Sequence, residues 1–144
     1  VYTYLIHTRD LTMNPVHDHT PQPRGVLCLQ TLAMPGDANP NGDIFGGWLV
    51  SQMDLAGGVA GRKRARGRIA TVAIDSMVFL RPLRVGDIVG FYTEVLSVGR
   101  SSIKIMIEVW KTDDLTGLHT KLTEGLFTFV AIDDQGNTRP VPPT

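Results

Sequence analysis

The sequence predicts a single α+β domain in which an antiparallel sheet wraps around one long central helix. A segment from about residue 47 to residue 65 repeats apolar residues at helical spacing, and four strand-like runs with short connections follow it. One further strand-like run precedes it. This order of elements is typical of a helix packed on an antiparallel sheet. A chain of 144 residues with 42% hydrophobic residues is long enough for one core and short for two domains.

The first strand and the helix have clear signals. Residues 25–32 form a short apolar run, and residues 34–42 then place two prolines and two glycines in nine positions, which is typical of a loop. The helix is predicted to begin at about Gly47 and to end near Ala65, where cations complement the negative end of the helix dipole. Its interior glycines each cost about 1 kcal/mol relative to alanine. Close approach to a sheet or a partner chain would compensate, so we expect deep burial.

The four later runs complete the sheet. The first covers residues 69–80 and ends at an Arg-Pro pair, because proline cannot donate a ladder hydrogen bond. The second covers residues 88–98. A Gly-Arg turn then leads to residues 103–109, where isoleucine and valine alternate strictly with other residues. The last run covers residues 122–132.

Both ends of the chain are predicted to lie outside the folded domain, which we place at residues 25–134. Residues 1–24 favour a flexible arm, and residues 1–12 would be non-native if Met13 is the natural start. His17 and His19 lie in this arm without ligands at metal-binding spacing, so no metal site is predicted. Residues 135–144 form a proline-rich tail.

Composition and charge narrow the function classes. Fourteen basic and fourteen acidic side chains leave a formal net charge of zero, so we expect no partnership with nucleic acid or membrane. No apolar run reaches the roughly 20 residues that cross a bilayer, and the start of the sequence lacks a signal-peptide pattern. The lone Cys28 is predicted to be a packed thiol. These features together favour a cytoplasmic protein.

The loop before the helix contains the candidate chemistry. Asp43 stands three residues ahead of Gly46, so a carboxylate would lie beside the free N–H groups of Gly46 and Gly47 at the positive end of the helix dipole. Asp43 could also be a simple helix cap, and Asn41 could simply adopt a left-handed turn conformation. Asp54 in the helix is a second candidate acid, although such acids more often meet a basic neighbour or solvent.

Four stretches together carry a family resemblance. They are residues 41–48 (Asn-Gly-Asp-Ile-Phe-Gly-Gly-Trp), 51–54 (Ser-Gln-Met-Asp), 79–82 with 85–87, and 107–110 (Ile-Glu-Val-Trp). On these residues the chain resembles the hotdog-fold acyl-CoA thioesterases, in particular the bacterial YciA-like group related to the cytosolic and brain acyl-CoA hydrolases. The resemblance implies a hotdog domain, a homodimer with a continuous sheet, and usually a hexamer made of three such dimers.

The same resemblance implies hydrolysis of acyl-CoA to a free fatty acid and CoA. Asp43 would serve as base or nucleophile, Asn41 would orient the water or the thioester carbonyl, and the N–H groups of Gly46 and Gly47 would polarise that carbonyl. No cofactor is expected, because the CoA thioester is the substrate. We therefore expect the substitution Asp43→Asn to keep the fold and the affinity for CoA and to lose most turnover.

A protein without net charge needs placed cations to hold the phosphates of CoA. Arg81 is the first candidate, and Arg66, Arg68 and Arg84 are the next, with Arg62, Lys63, Arg64 and Arg100 as further possibilities. The cluster at residues 62–68 fits a solvated helix end equally well. The candidate lining of an acyl pocket is Phe45, Trp48, Met77 and Phe79, although such residues are more often part of a core.

Two other functions stay open at this stage. A hotdog dehydratase or hydratase normally uses a histidine with a carboxylate, but three of the four histidines lie in the arm and His119 lies in a late loop. A non-catalytic acyl-CoA-binding module would bind the ligand without releasing a thiol. A thiol-release assay separates all three functions.

Overall fold

Five antiparallel strands and one long helix make up the fold in a computed structural model, which describes residues 21–144. The elements are β1 (Val26–Leu32), α1 (Gly46–Ala65), β2 (Ile69–Asp75), β3 (Ile88–Val98), β4 (Ser102–Thr112) and β5 (His119–Ala131). The sheet order is β1-β3-β4-β5-β2, and every neighbouring pair is antiparallel. The predicted sheet with one long helix is confirmed. Most of the predicted arm, with His7, His17 and His19, lies outside the described residues.

The core lies between one face of the sheet and one face of α1. The inward positions predicted for β4 are confirmed, because their side chains are fully buried; they are Ile103, Ile105, Ile107 and Val109. Glu108 and Trp110 on the other face are also buried, so burial does not alternate at this end of the strand. Phe127 and Phe129 of β5 lie beside them, with ring centroids 6.2 Å apart. Met53 and Ala56 meet these residues from the helix. Because Met53 and Ala56 face the sheet, the opposite side of α1 faces away from it.

Two glycines of α1 allow the helix to approach the sheet closely. A Cβ atom added to Gly57 would lie 2.7 Å from Ile107 Cδ1 and 2.8 Å from Phe129 Cζ. A Cβ atom on Gly61 would lie 2.6 Å from Ile69 Cδ1. The predicted close approach to a sheet is therefore present on this side of the helix.

We expect the substitution Gly57→Ala to lower the free energy of unfolding by about 1–3 kcal/mol, because the new methyl group would force Ile107 and Phe129 out of their positions. Urea denaturation followed by circular dichroism would measure this change. Gly58→Ala is the matched control, because a Cβ there meets no atom within 4 Å. A Gly57→Ala protein as stable as the control would contradict the packing explanation.

The other side of α1 is not covered by the described part of the chain. Leu55 is 59% exposed and Val59 is 44% exposed. The prediction of deep burial therefore holds for one face of the helix and not for the opposite face within a single chain. An apolar helix face of this kind is suited to contact with another chain or a ligand.

Strand β2 ends earlier than predicted, at Asp75 and not near residue 80. Ser76 has a φ of 52°, in the left-handed region that side chains other than glycine rarely adopt, so the extended geometry stops there. The chain then continues beside β5, where the Leu80 N–H donates to the carbonyl of Leu122 at 2.8 Å. Residues 76–82 thus form an irregular segment on the sheet.

The C-terminal residues pack against the domain without regular secondary structure. The Val141 N–H donates to the carbonyl of Arg100 at 2.7 Å, and Arg64 Nη1 donates to the carbonyl of Pro142 at 2.6 Å. The side chain of Val141 packs on the core. Arg64, one of the candidate CoA cations, is therefore engaged by the C-terminal segment.

Three further features of residues 21–144 relate to the predictions from the sequence. Cys28 packs against the core, and its thiol donates to the carbonyl of Ala56 at 3.3 Å, which confirms a packed thiol. In residues 21–144 no helix combines the length and apolar character needed to cross a membrane. The same residues contain no group of three or more His, Cys, Asp or Glu side chains arranged to hold a metal ion.

Candidate active site

Asn39 organises the loop in front of α1. Its Oδ1 atom accepts the N–H of Asn41 at 2.9 Å and the N–H of Asp43 at 3.1 Å. Its own backbone N–H donates to the carbonyl of Asp43 at 2.7 Å. The residue in the left-handed conformation is Gly42, with a φ of 85°, so the alternative role suggested for Asn41 is wrong. The loop is therefore a fixed turn that holds Asp43 ahead of the helix.

The start of α1 leaves backbone donors free. The N-cap residue is Phe45, and no side chain in residues 21–144 caps the helix, so the alternative in which Asp43 is the cap is wrong. The first amides of a helix have no partner within it. Gly46 and Gly47 occupy these positions and are exposed. A Cβ atom on Gly47 would meet no atom within 4 Å, so the space beside this residue is open.

Asp43 faces a cation. Its Oδ1 atom lies 3.8 Å from Arg84 Nε, and the two side chains are 44% and 74% exposed. Such an exposed pair contributes roughly 0–1 kcal/mol to stability, so it orients Asp43 only weakly. The structure thus brings the predicted catalytic carboxylate together with one of the predicted CoA cations.

A second carboxylate is held more firmly on the uncovered side of α1. The Thr71 hydroxyl of β2 donates to Asp54 Oδ1 at 2.6 Å, a hydroxyl partner in addition to the basic neighbour or solvent that the sequence led us to expect. Asp54 also lines a groove of about 300 Å³ between α1 and β2, together with Leu55, Gly58 and Val59. A fixed, half-buried carboxylate at an apolar groove has the features of a general base.

The predicted CoA-binding arginines fall into two groups. Arg84 lies beside Asp43. Arg81 lies in the same connection between β2 and β3 and donates to the carbonyl of Lys121 at 2.7 Å. Arg66 ends α1 in a left-handed conformation, and Arg68 donates to the carbonyls of residues 133 and 134. A helix of 20 residues is roughly 30 Å long, so the second group is remote from the helix start of the same chain.

The predicted acyl-pocket residues also divide. Trp48 and Met77 are partly buried and pack against the core. This fits the alternative in which they belong to the core and not to an acyl pocket. Phe45 and Phe79 are exposed at the start of α1. The Phe79 ring lies over Gly46, since a Cβ atom there would be 3.4 Å from Phe79 Cζ. The phenylalanines are thus the two of the four available to a ligand.

Two polar residues of the site were not singled out from the sequence. In the sequence Asn39 is one polar residue of a loop, and Thr71 is one residue of a strand. Each acts through hydrogen bonds that depend on how the chain folds. A threonine 17 positions beyond an aspartate gives no sequence signal of a contact between them.

An antiparallel sheet packed on one long helix is the hotdog arrangement, and free amides beside a carboxylate at the helix start suit a site for an activated carbonyl group. The sequence profile of the Thioesterase superfamily matches residues 41–118. The chain belongs to this superfamily, and the resemblance inferred from its motifs is confirmed.

Individual relatives agree with this family. The acyl-CoA thioester hydrolase YciA of Salmonella typhimurium is 50% identical over 128 residues, which cover 87% of this chain and 95% of the relative. The hexameric thioesterase of Yersinia pestis is 50% identical, with a TM-score of 0.81, and the match covers 85% of this chain and 100% of that one.

A more distant relative has been studied by substitution. The acyl-CoA hydrolase of Staphylococcus aureus, solved with butyryl coenzyme A and coenzyme A, is 30% identical with a TM-score of 0.76. The match covers 79% of this chain and 70% of that one. Three other structures of that hydrolase carry alanine in place of one aspartate, one asparagine or one threonine.

Proposed function

We propose that this chain hydrolyses acyl-CoA to a free acid and CoA at a site to which two copies of the chain contribute. Relatives named as acyl-CoA thioester hydrolases share about half of their residues with it over most of its length, which supports the reaction. The observation that carries the mechanism is the 2.6 Å hydrogen bond from Thr71 to Asp54. It orients a carboxylate on the face of α1 that the chain itself leaves open.

Thioester hydrolysis needs a base for the attacking water and donors for the oxygen on which charge develops. In the proposed mechanism Asp54 takes a proton as the water oxygen attacks the carbonyl carbon. The N–H groups of Gly46 and Gly47 stabilise the resulting oxyanion. Collapse of the tetrahedral intermediate breaks the C–S bond, and Asp54 returns the proton to the leaving sulfur of CoA.

The two halves of this site must come from different chains. Asp54 is seven residues beyond Gly47, which is roughly 10 Å along the helix axis. A carbonyl bound at the helix start is therefore out of reach of a water activated by Asp54 of the same chain, because both groups must lie about 3 Å from the reacting atoms. A second copy that places its own Asp54 beside this helix start completes the site.

The open edge of β2 fits such a second copy. Val72 and Ile74 of this edge strand are 56% and 44% exposed. An unpaired, apolar strand edge is a template for pairing with another chain. Pairing of β2 with its copy about a two-fold axis gives a dimer with a continuous sheet. Assembly of three dimers agrees with the hexameric state named for the Yersinia relative.

Two carboxylates compete for the role of base, and the substituted residues of the Staphylococcus hydrolase favour Asp54. In that protein the asparagine precedes the aspartate by 15 residues and the threonine follows it by 17. The same intervals separate Asn39 from Asp54 and Asp54 from Thr71 in this chain. The assignment of Asp43 as base or nucleophile stays a prediction, and so does the orienting role of Asn41.

Asn39 has a place in this mechanism. Its Oδ1 atom is used within the loop, whereas no hydrogen bond among residues 21–144 involves its Nδ2 amide. That amide can donate to the thioester carbonyl or to the water. Arg81 and Arg84 near the same loop remain proposed contacts for the phosphates of CoA, and Arg66 and Arg68 would have to act from another copy.

The activity is tested by following thiol release from a panel of acyl-CoA substrates from acetyl to long straight chains. We expect free CoA to appear for at least part of the panel. A dehydratase or hydratase would instead change the absorbance of an enoyl-CoA without releasing thiol. An acyl-CoA-binding module would show binding in calorimetry and no thiol. Either result would overturn the proposed function.

The two-copy site gives a further expected result. Ile74→Lys should reduce the molar mass measured by light scattering, because it places charges at the proposed β2 edge contact, and thiol release should fall with it. Leu115→Lys is the matched control, since this side chain is 89% exposed in the loop between β4 and β5. A monomeric Ile74→Lys protein with full activity would refute the shared site.

A further inference from the structure

Gly58 is the one glycine in the middle of α1 that packing within the described chain does not explain. Added Cβ atoms on Gly57 and Gly61 would come within 3 Å of side chains of the sheet, whereas one on Gly58 would meet no atom within 4 Å. Glycine in a helix interior is about 0.8–1 kcal/mol less favourable than alanine. The chain therefore keeps open space at this position at a cost to helix stability.

The open space at Gly58 belongs to the groove that begins at Asp54. The two residues are four positions apart, so they lie on the same face of the helix, one turn from each other. The groove has a volume of about 300 Å³, and Leu55, Val59, Ile69 and Phe129 supply its apolar walls. A side chain at position 58 would project into this space.

We infer that this groove receives the acyl group of the substrate and that Gly58 sets how much bulk it admits next to the thioester. This inference rests on the proposed function, in which Asp54 activates water beside the thioester carbonyl. The acyl chain leaves that carbonyl on the side opposite the sulfur and needs an apolar surface that starts at the carboxylate. The groove is continuous with Asp54 and meets this requirement.

The ligand for this groove is an aliphatic acyl chain whose first carbons lie beside Gly58. One methyl group in an apolar pocket typically changes discrimination between substrates by roughly 10–200-fold. The lack of a side chain at position 58 therefore permits longer or α-branched acyl groups, which an alanine would disfavour. Acetyl-CoA, which has no carbons beyond its methyl group, should be insensitive to the change.

The test compares Gly58→Ala and Gly58→Leu with the wild-type protein over acetyl, butyryl, isobutyryl, octanoyl and palmitoyl CoA. We expect Gly58→Ala to keep kcat/KM for acetyl-CoA and to lower it at least roughly tenfold for isobutyryl and longer chains. Gly58→Leu should confine activity to acetyl-CoA. Gly36→Ala is the control, because its added methyl group also meets no atom within 4 Å and lies outside the groove.

Other outcomes separate the inference from the alternatives. A uniform loss across the panel, or a smaller molar mass in light scattering, would mean that Gly58 contacts a second copy of the chain, and would overturn the inference. An unchanged panel for both variants would also overturn it. A wild-type protein that releases no thiol from any substrate would instead refute the proposed function on which the inference rests.

Discussion

Replacement of Asp54 by asparagine should lower kcat for acyl-CoA hydrolysis by roughly 10²- to 10⁴-fold, the range typical for loss of a general base. Asparagine keeps the size of the side chain and can still accept the hydrogen bond from Thr71, so the fold and the oligomer should persist. The amide cannot take a proton from water. Steady-state thiol release with butyryl-CoA, with light scattering on the same samples, measures both properties.

Asp43→Asn is the matched comparison, because it makes the same chemical change at the competing carboxylate. If Asp54 is the base, Asp43→Asn should alter kcat by less than roughly tenfold, since Asp43 forms only an exposed pair with Arg84. The opposite result, a large loss at Asp43 and a small one at Asp54, would establish the assignment made from the sequence and refute the one made from the geometry. CoA affinity measured by calorimetry should be similar in both variants.

Replacement of Gly46 by proline should lower kcat by roughly 10²- to 10³-fold, because it removes one backbone N–H from the proposed oxyanion site. Proline is well suited to the first position of a helix, where its missing N–H breaks no helical hydrogen bond. The residue before proline must be extended, and Phe45 already has φ −60° and ψ 137°. The helix should therefore form normally in this variant.

Gly46→Ala separates the lost donor from the added bulk. A Cβ atom there would lie 3.4 Å from the Phe79 ring, which is an ordinary contact, so the alanine variant should stay within roughly tenfold of wild type. Equal losses in the alanine and proline variants would show that the Phe79 contact matters and that the Gly46 N–H does not. Thermal unfolding of both variants checks that α1 remains intact.

Most of the fold could be predicted because its signals are local. The periodicity and the following cations defined α1 to within one residue at its start, and strict alternation defined β4. The end of β2 could not be predicted. Ser76 adopts a left-handed conformation, and no residue type in the stretch up to position 80 indicates this. That conformation depends on how residues 76–82 meet β5, which is a long-range effect.

The candidate site could be predicted only in part. The glycine pair at the helix start could be recognised directly in the sequence, and the acyl-CoA thioesterase class followed from four stretches taken together; the named relatives confirm that class. Asn39 and Thr71 could not be predicted. Each positions another residue through a hydrogen bond, and such a bond is visible only in the folded structure. For the same reason the sequence makes Asp54 only a second candidate.

The distance along α1 between Gly47 and Asp54 has a thermodynamic consequence. In the proposed two-copy site, a substrate that touches both groups bridges two chains, so it would bind the assembled protein and not the separated subunits. By mass action, a ligand at 100 times its Kd stabilises the form that binds it by about 2.7 kcal/mol. Acyl-CoA would thus hold its own hydrolase together, and the enzyme at high dilution would lose subunit contacts as its substrate is consumed.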